Sequence, residues 1–375
     1  MPRSSCGCSN RTEELAEMNI KGVFYDVGNV MGFNWRPVFD PKIVHRELEI
    51  IKNDLHCNAV RIGGLSIDRL MVASEDALKQ GLEVWLSPAM WDKSQQATLS
   101  YITKAARAAE ALRERWPEQL VFSVGSELTL FMQGIVDGRN FRTRITNPGL
   151  IPHVKAGDHN GPLNAFLAKA NVAVREVFHG ELTYASLVWE AVDWSNFDFV
   201  GVDHYRSARI EDKYVELLKP SFSHGKPVVI TEFGYGTCQK GLLSEGFLST
   251  AGLGGSIIDF RSQFLHQLPL IGRFVRPHLN GSHVRDEEWQ AQKLVENLGI
   301  LDGMGVDGAF VAQFISQPTP YSDDPRFDLD MASSSLVKYF EGGRRGTTYP
   351  DMPWEPKESF RAVAAYYAKQ DGHPR

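Results

Sequence analysis

Apolar and polar positions along this chain follow two periods that take turns. Short apolar runs rich in β-branched residues read as strands buried on both faces. They fall at Gly22–Val27, Asn58–Ile62, Leu82–Leu86, Leu120–Val124, Leu182–Ser186, Phe197–Asp203, Val228–Ile230 and Gly308–Phe314. Between them lie segments whose apolar residues recur at helical spacing, such as Ile43, Val44, Leu48 and Ile51. Helices are predicted over Pro41–Leu55, Ser66–Gln80, Ser94–Trp116, Leu163–Phe178, Tyr214–Leu218, Asp286–Leu298 and Ser359–Lys369, with partial helix around Ser256–Leu268. Local punctuation agrees: Asp40-Pro41 starts one helix, and Gly81 and Pro117 follow the ends of two others. Two segments break the rhythm, Phe131–Pro162 and Cys238–Arg285. The first is too long for an ordinary connection, so it is a functional loop or a disordered one, and the second is a further large insertion that is partly helical.

Eight strand-like runs alternating with helices predict an α/β fold of the (β/α)₈ barrel type, with large insertions after strands four and seven. A doubly wound sheet gives the same alternation but seldom reaches eight units. No nucleotide fingerprint favours it, because Gly252-Leu-Gly-Gly255 follows no strand. The expected organisation is a polar tail over 1–20 and one barrel over 21–375.

Composition narrows the function without naming it. A chain of 375 residues, 43% apolar and 23% charged, has the balance of a soluble globular protein with a large core. Net charge is −6 with no sustained basic tract, which argues against nucleic acid or an anionic membrane as partner. No apolar run reaches transmembrane length, and Met1–Ile20 lacks the apolar centre of a secretory signal, so a cytoplasmic location is expected. Cys6, Cys8, Cys57 and Cys238 do not make a disulfide framework in a chain this long. Cys6-Gly-Cys8 has no second pair or nearby His, and reads as part of a loose tail rather than a metal site.

The chemistry concentrates at strand ends. The run Val228-Val-Ile-Thr-Glu232 is followed by Gly234 and Gly236, and Val121-Phe-Ser-Val-Gly-Ser-Glu127 has the same form. One such Glu would be read equally well as leaving its strand for solvent. Two strand-end carboxylates on one parallel sheet are what acid/base-assisted glycoside cleavage needs.

With these residues the chain resembles the large clan of retaining glycoside hydrolases built on (β/α)₈ barrels. There the acid/base follows strand four and the nucleophile follows strand seven, the positions of Glu127 and Glu232. The resemblance spans roughly Gly22 to Phe314. It implies that Arg61, in Asn-Ala-Val-Arg61 at strand two, holds the nucleophile ionised, and that Tyr205, in Asp203-His204-Tyr205 at strand six, donates to it. His204 matches a frequent active-site His, or is a packing residue. Trp91 after strand three and Trp189 or Trp194 after strand five are candidate stacking faces for sugar rings, or core. Asp26, Gln313, Glu190 and Asp193 are candidates for polar contacts with substrate. No metal or organic cofactor is implied.

The pattern departs from the clan in two places. Ser126 stands where most members have an Asn that bonds the sugar 2-hydroxyl, and Gln313-Phe314 stands where strand eight often ends in Trp. Gly125-Ser-Glu-Leu128 resembles the mannanase-like branch. The implied activity is double-displacement cleavage of a β-glycoside, small or oligomeric. The open alternatives are a barrel enzyme tailoring a small metabolite and a non-catalytic carbohydrate-binding barrel. The insertion after strand four concentrates Arg139, Arg142, Arg144, His153, Lys155 and His159, which predicts either a solvated loop or recognition of an anionic group on the substrate.

Overall fold

The structure, a computed structural model, describes residues 18–28, 36–208, 210–238, 257–266, 268, 270 and 272–370. Eight parallel strands close into a barrel: β1 Ile20–Asp26, β2 Ala59–Gly64, β3 Glu83–Pro88, β4 Leu120–Ser126, β5 Glu181–Leu187, β6 Val200–Asp203, β7 Val228–Phe233 and β8 Gly308–Val311. Closure is a parallel ladder between the first and last strands, with Val23 opposite Val311. The fold is the (β/α)₈ barrel that the alternation predicts.

The intervening helices form where the pattern places them, because each has a start signal and an apolar stripe. Asp40 accepts from Lys42 N–H at the head of α1 (Pro41–Asn53), which buries Val44, Leu48 and Ile51. Ser66 and Ser94 cap α2 (Ile67–Lys79) and α3 (Gln95–Arg113) in the same way. On α3 the buried face is Ile102, Ala105, Ala106, Ala109 and Leu112, small residues that let a helix lie close to a sheet. Among the described residues, no helix is long and apolar enough to cross a membrane.

Three differences from the periodicity have local causes. The segment after β4 folds into three short helices, α4 Leu128–Phe131, α5 Phe141–Ile145 and α6 Leu150–Ala156, before the long α7 (Asn160–Arg175). Side-chain caps hold such turns without an apolar repeat: Asn140 and Thr143 make a reciprocal capping box at the start of α5. After α8 (Tyr214–Leu218) and α9 (Phe260–His266), helix α10 covers Glu287–Gly303 and outruns its predicted end, because Leu301 continues the buried row of Leu294 and Leu298. A two-stranded antiparallel ribbon, β9 (Val337–Tyr339) with β10 (Trp354–Pro356), precedes the last helix, α11 (Glu358–Gln370). Its three-residue strands are too short to leave a period in the sequence. Cys6, Cys8 and the glycines at 252–255 lie outside the described residues.

The N-terminal half of the barrel is plugged. Ile20, Ala59, Trp85, Val121, Val229 and Phe310 make a buried interior cluster, with Phe199 against it. The Trp85 ring lies 4.9 Å from that of Phe199 and 5.3 Å from that of Phe310. Such rings fit because the facing strands carry glycine: a Cβ on Gly22 would stand 2.3 Å from the Phe310 ring. Only the opposite end, where the strands finish, is left for chemistry.

Candidate active site

Strand parity selects which side chains reach that end. In β1, Ile20 and Gly22 meet Phe310 inside the barrel, and the ring of Phe24 lies under the Arg61 guanidinium, 5.2 Å from its centre. Arg61, Ser87, Thr231 and Asp203 belong to inward rows of their own strands, and register shifts occur between Ser123 and Ser126, between Val202 and Asp203, and between Ile230 and Phe233. These irregularities immediately flank Glu127, Asp203 and Glu232. A bulge re-aims the side chain that follows it, and three of them crowd three carboxyls into one mouth. One carboxylate oxygen of each of Glu127, Asp203 and Glu232 lies within 4.8 Å of one from each of the others.

The two glutamates have opposite surroundings. Glu232 accepts from Arg61 Nη1 at 2.7 Å and from the Tyr205 hydroxyl at 2.9 Å, so its ionised form is the one that is bonded. Arg61 is itself buried and anchored, donating to the Thr231 carbonyl at 3.0 Å and the Ser87 hydroxyl at 3.1 Å. Glu127 is also buried, and no donor reaches its carboxyl among the described residues. Burial, then the charges of Asp203, Glu232 and Glu190, hold its carboxyl well above the ordinary range, against a weaker pull from Arg61. Its backbone sits in the left-handed region at φ 47°, a strained setting for a non-glycine residue. The strain is held by Glu127 N–H on the Ala185 carbonyl at 2.8 Å and Leu128 N–H on the Tyr184 hydroxyl at 2.8 Å.

Asp203 is the residue whose importance the sequence did not announce, although it ends a buried strand as Glu127 and Glu232 do. Its side chain is fully enclosed and accepts from Thr231 Oγ1 at 2.5 Å and from Ser126 Oγ at 3.1 Å, with Arg61 Nη1 3.6 Å away. Burial first and the charge of Glu232 second push it up to about 7, against Arg61 and the two hydroxyls. Ser126, noted as a departure, is thus committed to Asp203. Thr231 and Ser87 carried no signal in the sequence.

The remaining candidates divide. Glu190 stands behind Glu127, accepting from the Tyr184 hydroxyl at 3.0 Å and from Leu187 N–H at 2.9 Å, and burial pushes it up to about 7. Asp26 is buried at the end of β1 with one oxygen on Gly28 N–H at 2.6 Å and the other without a hydrogen-bond partner among the described residues. Gln313 is nearly buried just past β8, and its side-chain oxygen also lacks a partner among the described residues. Trp91 is half-buried and stacks on Phe131, ring centres 3.4 Å apart, while Trp189 is half-buried with the His159 ring edge-on to it at 5.0 Å. His204 takes the packing role: it lies flat on the Tyr214 ring at 3.9 Å, its Nε2 reaches the Tyr214 carbonyl, and burial lowers it to about 4. Trp194 is core against Phe197, and Asp193 is an exposed cap on Ser195 N–H.

The cation-rich segment is not a free basic patch. Arg144 is fully buried, ion-paired with Asp92 and bonded to the carbonyls of Leu130 and Gly138. Its guanidinium satisfies two carbonyls of its own segment and a carboxylate from the loop after β3, and none of it is offered to solvent. His159 is buried as well, which leaves Arg139, Arg142 and Lys155 exposed.

By position alone, and among the described residues, Glu127, Asp203 and Glu232 form the group that could hold a metal ion. Arg61 already supplies a positive charge there, 2.7 Å from Glu232 and 3.6 Å from Asp203. The arrangement sets a carboxyl bonded by a guanidinium and a hydroxyl across a short gap from one that no donor reaches among the described residues.

Known structures share this fold. Two structures of a GH113 β-1,4-mannanase align over 94% of this chain and 99% of theirs, at 13% and 12% identity and TM-scores of 0.54 and 0.55. A β-glucuronidase of Parabacteroides merdae and β-glucuronidase 2 of Bacteroides uniformis align over 93% and 94% of this chain, and over 36% and 35% of their own. Their identities are 11% and 14%, and both TM-scores are 0.54. These neighbours are (β/α)₈-barrel glycoside hydrolases, the group the strand-end motifs resemble. No protein-family model matches the chain, and no curated protein matches it.

Proposed function

We propose that the protein is a retaining β-glycosidase in which Glu232 is the nucleophile and Glu127 the acid/base. The observation that carries this reading is the pair of carboxyls with oxygens within 4.8 Å of each other, one bonded by Arg61 and Tyr205 and the other buried and held well above the ordinary carboxyl range. Carboxyls about 5–5.5 Å apart fit double displacement, whereas direct displacement by water needs about 6.5–9.5 Å.

In the first step a Glu232 oxygen attacks the anomeric carbon as the glycosidic C–O bond breaks. The Glu127 proton passes to the leaving oxygen. In the second step Glu127, now a carboxylate, takes a proton from water, and the water oxygen displaces Glu232 from the sugar. Arg61 and the Tyr205 hydroxyl keep Glu232 charged and aimed before attack. Asp26, Gln313, Trp91 and Trp189 are the side chains proposed to meet the sugar. The substrate class is a small glycoside or an oligosaccharide.

The test is hydrolysis of a panel of aryl β-glycosides by wild type, Glu232→Ala and Glu127→Gln. A β-configured first product from wild type, background rates from Glu232→Ala, and an α-glycosyl azide when azide is added to that variant are expected. An α-configured first product, or undiminished turnover by Glu232→Ala, overturns the proposal.

A further inference from the structure

Three carboxyls, not two, meet in this mouth, and the third is hydrogen-bonded to the residue just before each member of the catalytic pair. Ser126, which donates to Asp203, immediately precedes Glu127. Thr231, which also donates to Asp203, immediately precedes Glu232. Asp203 therefore ties together the two strand ends that carry the proposed acid/base and nucleophile. With its side chain fully enclosed, it cannot itself touch a substrate.

We propose that Asp203 is a positioning residue that shares one proton with Glu127, the hydroxyls of Ser126 and Thr231 placing the charge on Asp203 and the proton on Glu127. This rests on the glycosidase reading only for its catalytic consequence. The argument is one of donors. Two like charges this close in a buried site do not both persist, so one carboxyl of a pair keeps a proton. Asp203 is offered two hydroxyl hydrogens and lies 3.6 Å from Arg61 Nη1. Glu127 is offered none among the described residues, and Asp203 is the largest of the charges that raise its carboxyl. The anion goes where the hydrogen bonds are.

Other groups facing the pair do not reverse the assignment. Glu232 and Glu190 add negative charge on the β7 and post-β5 sides. Arg61 is the cation from β2, shared between Glu232 and Asp203. Tyr205 donates to Glu232, Tyr184 to Glu190, and His204 is turned away onto Tyr214. Without Asp203, Glu232 would have to hold the proton on Glu127 unaided. With it, the acid remains loaded at higher pH.

The test is a ¹³C NMR titration of Asp and Glu side-chain carboxyls in wild type, Asp203→Asn and Ser126→Ala, with Glu127→Gln assigning the resonance. Removing a charge about 5 Å away should lower the Glu127 midpoint by about one to two pH units in Asp203→Asn. Ser126→Ala takes one donor from Asp203 and should lower the Glu127 midpoint by a smaller step. That variant keeps the test open if the Asn protein does not fold. In activity, the alkaline limb of kcat/KM should move down with the midpoint. A purely structural loss would instead lower kcat/KM by the same factor at every pH. A Glu127 midpoint unchanged in both variants overturns the proposal. If the midpoint moves but wild type cleaves no glycoside, the shared proton stands and the glycosidase reading falls.

Discussion

Replacing Arg61 by Met would expose how much of the barrel mouth depends on one cation. The substitution keeps most of the apolar stem over Phe24 and removes the guanidinium. It deletes the 2.7 Å bond to Glu232 and the donors to the Thr231 carbonyl and the Ser87 hydroxyl, and leaves Asp203 enclosed beside an uncompensated neighbour. Breaking a buried ion pair from one side costs about 3–5 kcal/mol while the abandoned carboxylates stay charged. They need not stay charged. In the variant Asp203, already raised by burial and the charge of Glu232, loses the cation that lowers it, so its folded midpoint lies above the unfolded value of about 4 and the folded state binds more protons than the unfolded state. Stability relative to wild type is then best retained at low pH and is lost as pH rises through the raised midpoint, by up to about 1.4 kcal/mol per pH unit. Wild type itself loses some stability as pH rises from about 4 to about 7 through Asp203, which burial and Glu232 push up to about 7, so the difference between the two proteins is the quantity to read. Urea unfolding followed by tryptophan fluorescence at pH 5 and pH 8 measures it. A small deficit at pH 5 and a deficit of several kcal/mol at pH 8 are expected. An equal deficit at both would show that Arg61 acts by its shape, and would refute the electrostatic account.

Three further outcomes follow from the same structure. Tyr205→Phe removes one donor from Glu232 and should lower kcat on an activated aryl glycoside about ten- to a hundredfold with little change in thermal midpoint; an unaltered kcat would remove Tyr205 from the site. Gly22→Ala puts a methyl 2.3 Å from the Phe310 ring and should destabilise by about 1–3 kcal/mol, whereas Gly299→Ala, with open space at its Cβ in α10, should stabilise by about 0.5–1 kcal/mol, both read by denaturant unfolding. Arg144→Gln should unfold at lower urea than wild type because it strands Asp92 and two carbonyls, while Arg142→Gln at the exposed surface should not. Matching midpoints for those two variants would place Arg144 outside the loop's framework.

The barrel was legible because its strands are buried on both faces, and such strands cannot be written without apolar runs like Val228-Val-Ile. Glu127 and Glu232 were legible because polar residues at the tips of those runs have few structural uses. Arg61 and Tyr205 came from their strand positions, and their bonds to Glu232 are direct ones. Asp203 followed the same strand-end rule but was hidden by the histidine and tyrosine beside it. Its work is done through Ser126 and Thr231, and hydroxyl partnerships leave no spacing to find. Arg144 shows the opposite error. A run of basic residues looks like surface charge, yet a guanidinium with five donors is equally suited to a loop interior full of carbonyls. His204 was undecidable for a similar reason, since stacking on Tyr214 depends on a residue ten positions away adopting the right turn.

The seam between β1 and β8 has a consequence for how this protein is made. The first barrel strand to leave the ribosome pairs with the last barrel strand, and α11 then locks beneath them, the Tyr367 hydroxyl bonding the Gly22 carbonyl at 3.1 Å. At roughly 5–20 residues per second, Ile20–Asp26 waits tens of seconds with one edge unsatisfied before its neighbour exists. An apolar edge kept waiting is a template for pairing with another chain. Translation speed and chaperone supply, rather than the stability of the finished barrel, should therefore decide the yield of folded protein. A permuted chain opened between two other strands would shorten the vigil of β1 and hand the same exposure to a different edge.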